Sequence, residues 1–398
     1  MAEYTIKTYN DISPLGLAKL PKHSYSYGPK VENPDAIILR SFKLSDALVD
    51  STVIAVARAG AGVNNIPLND MTGRGIVVFN TPGANANAVK ELVLAGMLLS
   101  SRNIVDASSY VKHLSGSDDE LAQKVEDGKK KFQGAELSSK TLGVIGMGAI
   151  GYRVANLAVE LGMKVVGYDP AMTVRNAWQV SSEVEQVNDI EEVLRRSDFV
   201  TIHVPLLEAT RGLISKQKLA KMKSDATLLN FSRDQIVDED ALISALDANK
   251  LGKYVTDFPN STTKDHSNVI ALPHLGASTQ EAEDECAIMA AVQLNDFLLD
   301  GNITNSVNFP SVSLKRTDGA RLTIAHYNEP GMLNHFTAIM IKYKLNVADI
   351  LNNNRGSQAY TIIDLDILDV PAKLLADVSN LDHVQIARVL KLAKNLDQ

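Results

Sequence analysis

The 398-residue chain has one cysteine, Cys286, one tryptophan and only 5% aromatic residues. A single cysteine excludes both an intramolecular disulfide framework and a thiolate zinc cage, and no other metal-ligating cluster is read. Long apolar runs are also missing. The longest, Leu92 to Leu99, falls far short of the ~20 residues needed to span a bilayer. The N-terminal segment lacks the basic stretch and apolar core of a secretory leader, so a cytoplasmic protein without membrane partners is expected. There is no basic excess: Lys+Arg total 40 against Asp+Glu 47, a net charge of −7. That balance excludes a general nucleic-acid or anionic-membrane binder. Hydrophobic residues at 45% and charged residues at 22% exclude a disordered chain or a coiled coil. At about 150 residues per domain, the length predicts two or three folding units.

Short apolar runs separated by helix-length spacers recur along most of the chain. Residues 35–39, 52–57 and 76–79 read as strands of one parallel sheet. Residues 142–145, 164–168, 199–203, 227–230 and 269–272 read as strands of a second. The polar segment 129–140 joins the two units. After 310–319, rich in turn formers and charge, the rhythm changes to strand, helix, strand, strand, helix, strand, a ferredoxin-like βαββαβ layout. The expected fold class is α/β: two doubly wound Rossmann-like parallel-sheet domains and a C-terminal ferredoxin-like domain.

Gly146-Met-Gly148-Ala-Ile-Gly151 lies between a strand and a helix, and the next strand ends at Asp169. That context is what a dinucleotide fingerprint requires. Gly146 permits the tight turn, Gly148 lets backbone approach a pyrophosphate, and Gly151 lets helix and strand pack closely. The helix N-terminus favours the phosphate charge. A carboxylate at Asp169 accepts hydrogen bonds from ribose hydroxyls and repels a 2′-phosphate, so NAD is the expected cofactor rather than NADP. Arg233 and His274 each follow a strand, at the edge where open parallel sheets bind ligands. A cation to polarise a carbonyl and a proton donor for the forming alkoxide are what hydride transfer to a 2-oxo acid needs beside the cofactor.

With these residues in view, the chain resembles the D-isomer-specific 2-hydroxyacid dehydrogenases from about Asp35 to its C-terminus. The motifs that carry the resemblance are Arg58-Ala-Gly60-Ala-Gly62, Asn80-Thr-Pro-Gly83-Ala-Asn85, the glycine fingerprint, His203-Val-Pro205, Asn230-Phe-Ser-Arg233 and Pro273-His274. The resemblance implies NAD-dependent oxidation of D-3-phosphoglycerate to 3-phosphohydroxypyruvate, a step that feeds serine synthesis. Arg233 would bind and polarise substrate and His274 would serve as acid/base. Arg58, Gly60, Ala61 and Asn85 would bind substrate, with Arg40 and Arg74 as weaker candidates for its phosphate. Gly146, Gly148, Ala149, Ile150, Gly151, Asp169, His203, Pro205, Thr210, Asp257 and Gly276 would bind NAD. The implied domains are 1–102 with 281–310 for substrate, 103–280 inserted for NAD, a linker at 311–319, and 320–398 as an ACT regulatory domain. His326, Asn328 and Asn346 would there bind L-serine as effector. A homodimer or homotetramer is implied.

Two departures stand out. The family's third functional residue, a glutamate paired with the histidine, has no counterpart after Asp257-Phe-Pro259: the aligned position is Ser261, with Asp257 and Asp265 as candidate substitutes. Asp234 stands where the family has glycine. A dehydrogenase for another D-2-hydroxy acid, and a catalytically impaired NAD-binding sensor, are the alternatives.

Overall fold

The computed structural model describes residues 4–391. Residues 1–3 and 392–398, where the first and last expected domains begin and end, lie outside the described residues. The chain divides into two compact units, Met1–Ala84 with Glu283–Gln398, and Asn85–Ala282.

In the first unit, β1 (Tyr4–Thr8), β2 (Tyr25–Gly28), β3 (Ala36–Leu39), β4 (Ala55–Arg58) and β5 (Val77–Phe79) form a five-stranded sheet in the order β2-β1-β3-β4-β5. Every pairing is parallel. The strands are apolar on both faces because both faces are covered. Ile6, Ile38, Ala57 and Phe79 pack against Leu294 and Phe297 of helix Gln280–Asp300, while Ile37, Leu39, Val56 and Val78 pack into a second layer with Met71.

The second unit holds β6 (Thr141–Ile145), β7 (Lys164–Tyr168), β8 (Val184–Gln186), β9 (Phe199–Ile202), β10 (Thr227–Asn230), β11 (Lys253–Thr256) and β12 (Val269–Ala271), in the order β12-β11-β10-β9-β6-β7-β8. This is the Rossmann order with one further parallel strand, and strand order reverses between β6 and β9. Helix Ala86–Ser101 packs Val89, Val93 and Met97 into this unit's core beside Leu229 and Val255. The unit therefore starts at Asn85, ahead of the residue 103 read from the sequence.

β13 (Ala320–Tyr327), β14 (Val347–Arg355), β15 (Gln358–Leu365) and β16 (Val384–Leu390) form an antiparallel sheet in the order β14-β15-β13-β16. One face, with Leu322, Ile324, Ile363 and Leu365, packs on helices Met332–Lys342 and Ala372–Ser379. The other face joins the core of the first unit through Ala325, Tyr360 and Ile362. Burial on both sides explains why all eight residues of β15 are buried. A fully buried Arg321 crosses this junction. It holds Asp364 through Nε and Nη2 at 2.6 and 2.8 Å and donates to the carbonyls of Asp300, Leu314 and Lys315. The segment 311–319, expected as a linker, is thus pinned by its own carbonyls and by the Ile303–Val312 bridge.

Candidate cofactor-binding and acid/base site

Because the seven-stranded sheet is parallel, every strand delivers its C-terminal end to one edge. Six of those ends carry residues named from the sequence. In sheet order they are His274 after β12, Asp257 after β11, Arg233 after β10, His203 after β9, Gly146 after β6 and Asp169 after β7. At about 4.8 Å per strand this row extends over roughly 24 Å. Gly146 and His203 flank the point where strand order reverses, the place where such sheets take a dinucleotide.

The three fingerprint glycines have separable reasons. Gly146 sits at φ +92°, and a Cβ there would lie 2.8 Å from the His203 backbone. A Cβ on Gly151 would lie 1.9 Å from the Gly146 carbonyl oxygen, so only glycine lets helix Gly151–Glu160 start this close to the turn. Gly148 has nothing within 4 Å of its Cβ position, leaving open space beside the loop that Ala149 and Ile150 continue into the helix. Asp169 accepts from the Met147 and Ala171 N–H groups, each at 2.8 Å. A carboxylate has about four acceptor positions, so two remain for ribose hydroxyls.

At the other end of the row, Phe258 joins the two acid/base and substrate-polarising candidates. Its ring lies 4.7 Å from the His274 ring and 5.9 Å from the Arg233 guanidinium carbon. Arg233 also donates to the Ser232 carbonyl, and Asn230 holds the Arg233 carbonyl at 2.8 Å. Asn230 is fully buried and hydrogen-bonded to the buried Tyr254 hydroxyl, so the chain carrying Arg233 is fixed from beneath. Asp257 is 1% exposed. Its Oδ2 accepts from the Gly276 N–H, while Oδ1 is buried with no partner. Burial pushes its carboxyl up, against the pull of that N–H and of nearby His274. No carboxylate hydrogen-bonds the His274 ring among the described residues.

Asn260, Ser261 and Thr262–Thr263 close a turn on the Asn260 side chain, which accepts from Thr262 N–H, Thr263 N–H and the Thr263 hydroxyl. Ser261 is exposed, and Asp265 pairs with Lys264 at 3.0 Å. Asp234 keeps a negative φ and opens a short 3-10 turn, so the exchange of glycine for aspartate carries no left-handed strain.

The remaining candidates have definite places. Burial drives the His203 ring down to about 3, so it stays neutral. Its Nε2 meets the Thr201 hydroxyl at 2.9 Å and its Nδ1 is enclosed without a partner. Thr210 spends its hydroxyl inside the loop, donating to the Pro205 carbonyl and accepting from Leu207 N–H. Asn85 precedes helix Ala86–Ser101, with a buried, unpartnered Oδ1. In the first unit, Arg58 donates from Nε to the Arg40 carbonyl, and the Asn80 amide ties down the Ala61 carbonyl beside Gly60. Arg40 is paired with Glu283 at 2.7 Å and Arg74 with Asp46 at 2.8 Å.

The effector candidates do not converge within one chain. His326 is 2% exposed, with Nδ1 at 2.8 Å from the Tyr327 carbonyl and Nε2 at 2.9 Å from the Thr361 hydroxyl. Burial holds its pKa down. Asn328 donates to the Gly356 carbonyl at the C-terminal end of β13, whereas Asn346 binds Asp366 beside the N-terminal end of that strand.

The residues present fit NAD on three observations: the open space at Gly148, the unused acceptor positions of the Asp169 carboxylate, and the orphaned Asp257 Oδ1 toward the other end of the row. Phe258 and Asn230 were readable only as letters of motifs; their contacts with His274 and Arg233 arise from folding.

These features define a dinucleotide-binding oxidoreductase site, and comparison with known proteins narrows it. Residues 95–276 match the profile of the D-isomer specific 2-hydroxyacid dehydrogenase NAD binding domain. The chain belongs to the D-isomer-specific 2-hydroxyacid dehydrogenase family. It is 34% identical over 350 residues to the D-3-phosphoglycerate dehydrogenase of Haemophilus influenzae, covering 85% of this chain and 81% of that one. It is 38% identical over 288 residues to the protein of that name from Synechocystis sp., covering 70% of this chain. The chain spans about half the length of that relative. Among solved structures, the NAD+-bound 3-phosphoglycerate dehydrogenase of Entamoeba histolytica superposes with a TM-score of 0.61 at 27% identity, over 77% of this chain and 99% of that one. No helix of the described residues is long and apolar enough to cross a membrane.

Proposed function

We propose that the protein is an NAD-dependent D-2-hydroxyacid dehydrogenase that interconverts D-3-phosphoglycerate and 3-phosphohydroxypyruvate. The observation that carries this reading is the row of strand ends, with the Asp169 carboxylate toward one end and Arg233 and His274, both beside Phe258, toward the other. NAD, when bound, accepts or returns the hydride. Arg233 binds the substrate's carboxylate and polarises its carbonyl. His274 donates a proton to the forming alkoxide, or removes it in the oxidative direction. Asp257 offers Oδ1 to an amide donor of the cofactor, and neutral His203 lines the loop without taking part in proton transfer. Arg58, Gly60, Ala61 and Asn85 bind the anionic groups of the substrate. The names of the relatives support the phosphorylated substrate. Regulation by L-serine through His326, Asn328 and Asn346, assembly into dimers or tetramers, and a cytoplasmic location belong to the same proposal.

The test is a substrate panel followed by NADH absorbance: 3-phosphohydroxypyruvate, hydroxypyruvate and pyruvate. The proposal expects kcat/KM at least about a hundredfold higher for the phosphorylated substrate, since each charge-assisted contact is worth roughly 1.5–3 kcal/mol. Equal rates would point to another D-2-hydroxy acid. The absence of a carboxylate on His274 favours one second reading, an NAD-binding sensor with little turnover. It predicts NADH binding without oxidation by any member of the panel.

A further inference from the structure

The helix of the glycine fingerprint carries a cation where several other helices of the chain carry carboxylates, although helix Ala86–Ser101, which packs against it, has no first-turn acid either. Helices Asp118–Gly128, Ile190–Arg196 and Glu239–Asp247 carry two or three carboxylates in their first turns, as the helix dipole favours. Helix Gly151–Glu160 carries none there and instead has Arg153 in its first turn. A cation at that end opposes the dipole, and no carboxylate of the described residues pairs with it. Its position is nonetheless fixed. The guanidinium lies over the Tyr152 ring, 4.7 Å from its centroid, and Nη1 donates back to the carbonyl of Ala149. Side chains on a helix lean toward its N-terminus, so a residue reaches the position four before it. Arg153 thereby sets a half-buried guanidinium beside the glycine loop, where Ala149 has no functional group and Gly148 leaves open space. One of its five N–H donors is engaged with Ala149, and the others can serve an anion there.

We propose that Arg153 is a cofactor-binding residue that pairs with the pyrophosphate of the dinucleotide. This rests on the NAD-dependent reading above and adds to it a cation that the glycine fingerprint lacks. It explains why an arginine sits against the dipole: the anion it meets reverses the sign of the local field. The contact acts on phosphate, not on adenosine or nicotinamide.

The test measures dissociation constants of the full chain for NADH by fluorescence, and for ADP-ribose and adenosine by displacement of NADH. Arg153→Gln is expected to weaken NADH and ADP-ribose by about ten- to hundredfold, the range of a charge-assisted contact. Adenosine affinity should stay within twofold, and Arg153→Lys should recover part of the loss. Unchanged ADP-ribose affinity in Arg153→Gln overturns the proposal. So does an equal loss for adenosine, which would mark Arg153 as merely holding the helix start. Failure of the unsubstituted protein to bind NADH at all would overturn the NAD-dependent reading, and this inference with it.

Discussion

Substituting alanine at Gly148 and at Gly151 separates what the fingerprint does for folding from what it does for the cofactor. At Gly151 the new methyl would stand 1.9 Å from the Gly146 carbonyl oxygen, where ordinary contact begins near 3.4 Å, so 3.4 − 1.9 = 1.5 Å must be found. Both sides of that clash are backbone, and the helix start is the part free to give. Overpacking of this kind costs about 1–3 kcal/mol, and for a domain of 150–250 residues that lowers Tm by roughly 2–12 °C. Gly148 has nothing within 4 Å and a φ outside the left-handed region, so Gly148→Ala leaves the fold intact. It can even gain about 0.4–1 kcal/mol from the restricted unfolded chain. Its methyl, however, occupies the space through which the backbone approaches the pyrophosphate. Thermal unfolding and NADH fluorescence titration on the two variants should therefore diverge. Gly151→Ala loses stability, whereas Gly148→Ala keeps its Tm within about 2 °C and binds NADH at least tenfold more weakly. Gly148→Ala binding NADH as tightly as the parent protein would refute the placement of the pyrophosphate.

The other predictions concern charge. Arg321→Met leaves Asp364 buried and unpaired, so a loss of about 3–5 kcal/mol in denaturant unfolding is expected, most of it restored in an Arg321→Met/Asp364→Leu double variant. His203 has a folded-state pKa of about 3, below that of the unfolded chain, so the unfolded state binds the extra proton between roughly pH 6.5 and 3. Stability contributed by neutral His203 is present above that window and falls with pH through it, by at most about 1.4 kcal/mol per pH unit. His203→Asn should flatten that part of the stability-versus-pH curve. Ser261→Glu, which puts a carboxylate at the position aligned with the family's glutamate, is expected to raise kcat by tenfold or more while NADH affinity stays within about twofold.

Legibility in the sequence followed burial. β7 and β10 match the residues read from the sequence because their apolar runs are bounded by turn formers. β2 and β8 escaped because polar residues and glycine interrupt their short apolar runs, Tyr-Ser-Tyr-Gly and Val-Glu-Gln. β11 escaped for another reason. It opens with Lys253, whose amine is held by the Ser100 carbonyl and Asn103 inside the fold and so reads as a surface charge. The glycine fingerprint was legible because Gly146 and Gly151 answer steric demands set within a few residues of chain, with Gly148 at the standard spacing between them. Arg321–Asp364 was not, since 43 residues separate partners that only the antiparallel β13–β15 register brings together. His326 shows the same limit: a histidine closed off by Thr361 and a carbonyl has the same letter as one that faces a ligand.

The most direct measurement follows NADH oxidation with 3-phosphohydroxypyruvate by the parent protein, Arg233→Gln and His274→Asn, with NADH affinity measured on all three. The account predicts turnover by the parent, a loss of at least about a hundredfold in each variant, and NADH binding retained throughout. NADH bound tightly by a parent protein that does not oxidise it, or variants as active as the parent, would contradict the assignment of Arg233 and His274 to hydride-transfer chemistry.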